Sequence, residues 1–361
     1  MKFGPVPLSE AKGKILGHNI AAANGQRLLR KGKPLTGADV ESLRALGRIS
    51  VYVAQMEEDD MDENIAARRV AKAICGSGLH VTGAASGRVN LLSNEMGILR
   101  IDVERLMQLN ECDGITLATL MSHSPVYSGQ IVATVKVIPY AVPESIVSAA
   151  EAIASRSRPI VSVDALSSRS VGMILSGSPA IHQRLISDFD SLRVRIKKLG
   201  SSLDRTDFVA LNDESDEAEL AEMLRDQLAT GIKLILVAGE TAIMDAHDIV
   251  PRAVIRAGGT VESVGAPVDP GNLLLLAYIN GVPVVGTPGC ARSKKMNIVD
   301  WILPRLLAGD RLNRRDIIEL GHGGLLQDVR ERGVPRNVAG ENDSGNMPEP
   351  DTLTAIISPS L

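Results

Sequence analysis

The chain has 361 residues, a formal net charge of −4, 44% hydrophobic and 23% charged residues, and only 2% aromatic residues. That length points to two or three domains, and the slight acidity with so few rings argues against nucleic acid, which needs cationic surface and aromatic faces for base stacking. No window approaches the roughly 20 apolar residues of a membrane span, and the start Met1-Lys2-Phe3-Gly4-Pro5 lacks a signal peptide's apolar core, so a cytoplasmic protein with no membrane partner is expected.

Residues 1–62 read as a small α+β unit. Ile15 to Ala22 is expected to be a strand, Gly32-Lys33-Pro34-Leu35-Thr36 a turn, and Thr36 the cap of a helix over Gly37 to Leu46, with Ile49 to Val53 a second strand. The acidic run Glu57 to Glu63 reads as a solvated junction that breaks or caps the next helix, since like charges in a row repel and prefer water.

Residues 63–165 read as a second α+β unit. A helix from Asn64 to Cys75 leads to short strands near Leu79–Val81, Gly97–Ile101 and Gly114–Leu117. Gly129 to Pro139 is rich in β-branched residues that alternate partway, which predicts a strand. Pro139 and Pro143 end it, and a connecting helix over Glu144 to Ala154 follows.

Residues 166–325 change to alternating strand and helix, the mark of an α/β unit with a layered, mainly parallel sheet flanked by helices. Strands are expected over Val171–Leu175, Phe208–Leu211, Ile232–Ala238, Val261–Val264, Leu273–Ile279 and Val282–Val285. One helix is expected to carry Ile181, Leu185, Phe189, Leu192, Ile196 and Leu199 as a single apolar stripe. Further helices are expected over Glu214–Ala229, Ile243–Ala257 and Ser293–Leu307. Residues 326–361, rich in Gly, Pro, Asn and Asp, read as a linker-like tail.

In open α/β sheets ligands gather at the carboxyl ends of the strands, and bare N–H groups there suit anions. Gly239-Glu240-Thr241 follows the most apolar strand: Gly239 permits close backbone approach, and Thr241 is either a ligand to phosphate or a plain helix cap. Asp245 and Asp248 are expected to share a face at a helix start. There they either position Mg²⁺ or simply favour the first turn electrostatically. Gly286-Thr287-Pro288-Gly289, with Arg292, Ser293, Lys294 and Lys295 behind it, reads as the strongest anion site, the alternative being a solvated basic helix start. Ser176, at the end of the first strand, and the turn at Pro270-Gly271 complete the expected ring of loops. His247 reads as surface. Cys75, Cys112 and Cys290 are widely spaced and odd in number, without zinc spacing, and Cys290 is either a reactive thiol or a small packing residue.

Taken together, these motifs resemble the molybdopterin-binding domain of molybdopterin molybdotransferases and adenylyltransferases. The resemblance covers about Val171 to Leu307 and rests on the strand followed by Gly-x-Thr at Gly239–Thr241, Asp-x-x-Pro at Asp248–Pro251, the Pro270-Gly271 turn, and Gly-x-Pro-Gly with a following Ser at Gly286–Ser293. The units before it are similar to a variant group often fused to molybdenum cofactor nucleotidyltransferases. The chain departs from the family in three places. Gly239-Glu240 stands where paired glycines are usual, Gly271-Asn272 where a Lys is usual, and the acidic pair is spaced by one residue more.

The resemblance implies a role in molybdenum cofactor biosynthesis, with molybdopterin or its nucleotide form as ligand, molybdate and Mg²⁺ beside it, and a homo-oligomer. Ser176, Gly239, Glu240, Thr241, Pro270, Gly271, Gly286, Thr287, Pro288, Gly289, Arg292, Ser293 and Lys294 would hold the pterin's phosphate end, and Asp245 and Asp248 would act catalytically and on the metal. Three roles stay open at this point: a molybdotransferase that inserts molybdate, a non-catalytic carrier serving a separate nucleotidyltransferase or apo-molybdoenzyme, and a hydrolase of nicotinamide nucleotides.

Overall fold

The computed structural model describes residues 1–211 and 216–326, so the expected tail and the first residues of the Glu214 helix lie outside the described residues. The first unit contains β1 (Lys2–Pro7), β2 (Ile15–Leu16), β3 (Ile20–Ala21), β4 (Arg27–Leu29), α1 (Gly37–Ala45) and β5 (Ser50–Gln55). β5 lies antiparallel between β1 and β2, while β3 pairs with β4. The strand expected over Ile15–Ala22 is thus two short ones. The chain changes partner at Gly17, whose carbonyl accepts the Tyr140 hydroxyl at 2.9 Å. Thr36 caps α1 as read: its Oγ1 accepts the Asp39 N–H, and the Asp39 carboxylate accepts the Thr36 N–H at 2.9 Å.

The second unit starts a few residues before the expected boundary at 63, because β6 (Asp60–Asp62) pairs with β13 (Ala141–Pro143). It contains β6, α2 (Glu63–Ile74), β7 (Leu79–Val81), β8 (Arg88–Ser93), β9 (Gly97–Ile101), α3 (Val103–Asn110), β10 (Ile115–Thr119), β11 (Pro125–Val126), β12 (Ile131–Val137), β13, α4 (Glu144–Ser155) and β14 (Val161–Ala165). Its sheets run β10-β12-β8-β7 and β11-β9-β14, and a core that includes Val70, Ile74, Val89, Leu91, Val135 and Val147 joins them to α2 and α4. The acidic run ends in a cap: Asp62 accepts the N–H groups of Asn64 and Ile65 at the start of α2.

The third unit contains β15 (Ser170–Gly177), α5 (His182–Asp188), α6 (Asp190–Lys198), β16 (Ser202–Ala210), α7 (Glu217–Ala229), β17 (Leu234–Gly239), α8 (Ile249–Arg256), β18 (Thr260–Val264), β19 (Leu275–Ile279), β20 (Val282–Gly286), α9 (Val299–Ala308) and α10 (Arg314–Glu319). Six strands form one mostly parallel sheet in the order β16-β15-β17-β20-β19-β18, with β18 and β19 antiparallel to their neighbours. Side chains alternate across it with the period of two. Met173, Leu175, Leu236, Leu276 and Val285 pack with Phe189, Leu192, Ile302 and Leu306 on one face. Ile174, Ile235, Val237, Ala277 and Val284 pack with Leu220, Leu224, Ala253 and Val254 on the other. The result is three layers, helix on sheet on helix.

Three expected helices differ. The stripe from Ile181 to Leu199 is buried from Leu185 onward, but the helix breaks at Phe189, so α5 and α6 are separate. The helix expected from Ile243 begins only at Ile249. Asp248 accepts the N–H groups of Met244 and Asp245 at 2.6 and 3.1 Å, folding the preceding segment into a turn, while Ile243 is buried. The helix expected from Ser293 begins at Val299. Asn297, almost fully buried, holds the intervening stretch irregular: it donates to Lys295 O at 3.1 Å and accepts the Val299 N–H at 3.0 Å.

Candidate functional site at the carboxyl edge of the sheet

Strand register decides which loops meet. Ser176 on β15 is level with Gly239 on β17, Val237 is level with Gly286 on β20, and Gly286 is level with Leu275, the first residue of antiparallel β19. The loops leaving β15, β17 and β20 and the loop entering β19 therefore share one edge. Ser176, Gly239, Glu240, Thr241, Pro270, Gly271, Gly286, Thr287, Pro288 and Gly289 all belong to them.

Polar contacts tie these loops together. The Glu240 N–H donates to Ser176 O at 2.8 Å, and the Ser178 N–H and hydroxyl donate to one Glu240 carboxylate oxygen at 2.9 and 3.0 Å. Those Ser178 bonds, with the Arg292 and Arg184 charges behind them, hold the exposed Glu240 carboxyl below its ordinary range. A carboxylate of the chain itself thus occupies two donors of the kind an oxyanion would use. Ser176 is buried, so Ser178 is the serine that presents donors here. The Ser-Gly-Ser-Pro sequence marks the turn without telling which serine turns outward.

Arg292 reaches back across the edge: one Nη donates to Gly239 O at 2.8 Å and Glu240 O at 3.2 Å, while the guanidinium lies 5.0 Å from the Phe189 ring centre. Thr287 is buried, and its N–H and hydroxyl both donate to Val237 O, at 2.8 and 3.2 Å. Both residues therefore splice loops to strands in this conformation. Thr241 and Gly289 are exposed, and a Cβ at Gly289 would meet nothing within 4 Å, so the backbone there is open to a ligand.

Gly271 is different. It is buried at φ 142°, and a Cβ would stand 2.5 and 2.6 Å from the Ile298 side chain. Pro270 O accepts the Ile298 N–H at 3.2 Å. This turn is packed under the start of α9.

Asp245 and Asp248 lie in the turn before α8 and not on a shared helical face, which corrects the geometry expected of them. Asp245 accepts the His247 N–H at 2.8 Å, and Asp248 accepts two N–H groups with one oxygen. Each keeps its second carboxylate oxygen outside these turn bonds. Among the described residues no group of three or more His, Cys, Asp or Glu is arranged to hold a metal.

Ser293 does not open a helix: its hydroxyl accepts the Lys295 N–H at 3.0 Å in the irregular stretch before α9. Arg292 and Lys294 therefore do not stand at a helix start, where the expected Ser293 helix would have placed them. Lys294 lines a cleft between the second and third units.

A family model described as "Domain of unknown function (DUF8806)" matches residues 5–55, within the first unit. No curated protein matches the chain. Among solved structures, a molybdenum cofactor biosynthesis protein from Pyrococcus furiosus is similar at 12% identity over 88% of this chain, with TM-score 0.24. The chain spans 65% of the length of that protein. A structure of molybdenum cofactor biosynthesis protein B is similar at 16% identity over 44% of this chain and 94% of that one, with TM-score 0.26. Superpositions this poor carry no argument about ligand or reaction. What the chain shows by itself is an α/β architecture with a six-stranded, mostly parallel sheet, and no described helix is long and apolar enough to cross a membrane.

Proposed function

We propose that the third unit is a molybdopterin-binding module of molybdenum cofactor biosynthesis, taking the ligand's phosphate end at the carboxyl edge of the sheet. The observation that carries this reading is the convergence of the loops after β15, β17 and β20 with the loop before β19 on one edge. The order of motifs along those loops supports the choice of ligand. Ser178, Thr241 and the Gly289 turn would donate to phosphate oxygens, and Arg292 would hold the Gly239–Glu240 loop in place. A Mg²⁺ ion would fit the two carboxylate oxygens of Asp245 and Asp248 left outside the turn bonds, since this cation takes one or two carboxylates plus phosphate and water. Bound there, it would supply charge neutralisation for phosphate or molybdate oxygens.

Of the two roles within this reading, carrier and molybdotransferase, one observation favours the carrier. Glu240 places a negative charge on the donors of Ser178, where a transferase would want its anions held firmly. As a carrier, the module would pass the pterin to a separate nucleotidyltransferase or apo-molybdoenzyme. The test is reconstitution: purified protein, molybdopterin, Mg²⁺ and molybdate are incubated and then offered to an apo-molybdoenzyme. Tight pterin binding without activation supports the carrier, activation supports the transferase, and no pterin binding removes both.

A further inference from the structure

A second concave region lies away from the sheet edge, where the loop Met121–Tyr127 of the second unit faces α6, α9 and α10 of the third. It encloses about 780 Å³, the size of sites that take small organic molecules. Its frame is fixed. Arg100 of β9 makes a two-pronged ion pair with Asp310, at 2.6 and 2.9 Å, and Asp310 and Asp316 both bind Arg305 of α9. His123 adopts a left-handed backbone at φ 67°, rare for a residue with a side chain, and is pinned by its N–H to Leu99 O at 2.7 Å.

The lining combines two features. The first is flat or soft apolar surface, half-buried at Trp301, which packs partly on the core, and exposed at Tyr127, Met121 and Met296. The chain has one Trp and four Tyr, and Trp301 and Tyr127 both line this cleft, with Met121 and Met296 at its margin. Tyr127 is 50% exposed, Met296 61% and Met121 76%. The second feature is an unbalanced charge. Arg195 is paired with Asp300, Arg305 with Asp310 and Asp316, and Glu319 with Arg315. Lys198 and Lys294 have no carboxylate partner among the described residues and line the same cleft. His123 adds no charge at neutral pH, because burial and then the Arg305 and Arg100 charges push its pKa down.

We infer that this inter-unit cleft binds a small planar aromatic molecule carrying a carboxylate or phosphate, its ring against Trp301 and Tyr127 and its anion between Lys198 and Lys294. Rings stack on Trp and Tyr faces, and two ammonium groups without a carboxylate partner among the described residues, on a wall whose other described charges are paired, attract an anion. The inference is independent of the sheet-edge reading, from which it borrows only Lys294.

Trp301, as the only tryptophan, reports on the cleft directly. The full chain is titrated with adenosine 5′-monophosphate and, separately, with phenylacetate, following Trp301 emission and heat of binding. Inorganic phosphate and acetate are the ringless controls. The expected result is saturable binding of at least one ringed probe with Kd below about 1 mM, weakened at least about tenfold in Lys198→Ala/Lys294→Ala with circular dichroism unchanged. The arm that binds tells phosphate from carboxylate. No saturation by either ringed probe, equal binding by the double variant, or inorganic phosphate binding as tightly as the nucleotide would each overturn the proposal. Because molybdopterin is not used, failure here leaves the sheet-edge reading standing, and the reverse holds too.

Discussion

Replacing Gly271 by alanine separates two uses of glycine that look alike in sequence. At φ 142° the backbone sits where side chains are rarely tolerated, and the new Cβ would lie 2.5 and 2.6 Å from Ile298 Cγ2 and Cβ and 3.2 Å from its backbone nitrogen. A residue forced into such a backbone region costs about 1–3 kcal/mol, and overpacking a buried contact costs about 1–3 kcal/mol more. Because Ile298 can yield partly, the expected loss is about 3 kcal/mol. Gly289→Ala is the matched control. Its φ is not positive and its Cβ meets nothing, so stability should stay within about 0.5 kcal/mol. Urea denaturation followed by Trp301 emission reads both, since the Trp301 backbone N–H donates to Ile298 O at 3.0 Å, one turn from the clash. A Gly271→Ala protein that loses less than about 1 kcal/mol would refute the packing role assigned to the Pro270-Gly271 turn.

Further outcomes follow from the same contacts. Asp310→Asn removes the charge shared by Arg100 and Arg305, both largely buried, and should cost about 2–3 kcal/mol, at the low end for a broken buried pair because Asp310 is 21% exposed; a neutral effect in urea denaturation would mean the two units are not held together there. The Lys33 ammonium, then Thr36, hold the Asp39 carboxyl down at about 2. A depressed carboxylate stabilises the fold above its unfolded value near 3.9, and that contribution, of about 1 kcal/mol given the partly exposed lysine, is lost as pH falls toward 2. In Asp39→Asn the part of the acid unfolding profile between about pH 4 and 2 should flatten, and an unchanged profile would contradict the capping-box account. Glu240→Gln leaves a neutral group on Ser178 and should tighten inorganic phosphate binding severalfold by calorimetry; weaker binding would show that the carboxylate does not compete with the anion.

Much of the sheet was legible because its strands are apolar runs closed by Gly, Pro or Ser, and burial on both faces leaves few other uses for such runs. The capped helix at Thr36 was legible because the cap is local. Helix starts near the site were not. Ile243 and Ser293 begin stretches of suitable composition, but Asp248 satisfies N–H groups three and four residues before it and Asn297 that of Val299 two residues on, and such side-chain competition is invisible to periodicity. The split at Phe189 escaped for a similar reason, since the apolar stripe continues through the break. At the candidate site, membership of the loops could be read, whereas orientation could not. Thr287 and Arg292 turn out to be committed to strand and loop carbonyls, and Ser178 outranks Ser176 as a donor. The inter-unit cleft gave no sequence signal, because Tyr127, Lys198 and Trp301 come together only through tertiary packing.

Calorimetric titration of the purified chain with molybdopterin, repeated with Ser178→Ala and with Thr241→Ala, asks whether the sheet edge holds the pterin. The expected result is saturable one-site binding that both substitutions weaken, by about tenfold where a charge-assisted bond is lost, while Trp301 emission stays unchanged because the ligand sits at the sheet edge. Absence of binding, or binding that ignores both substitutions and instead quenches Trp301, would contradict it.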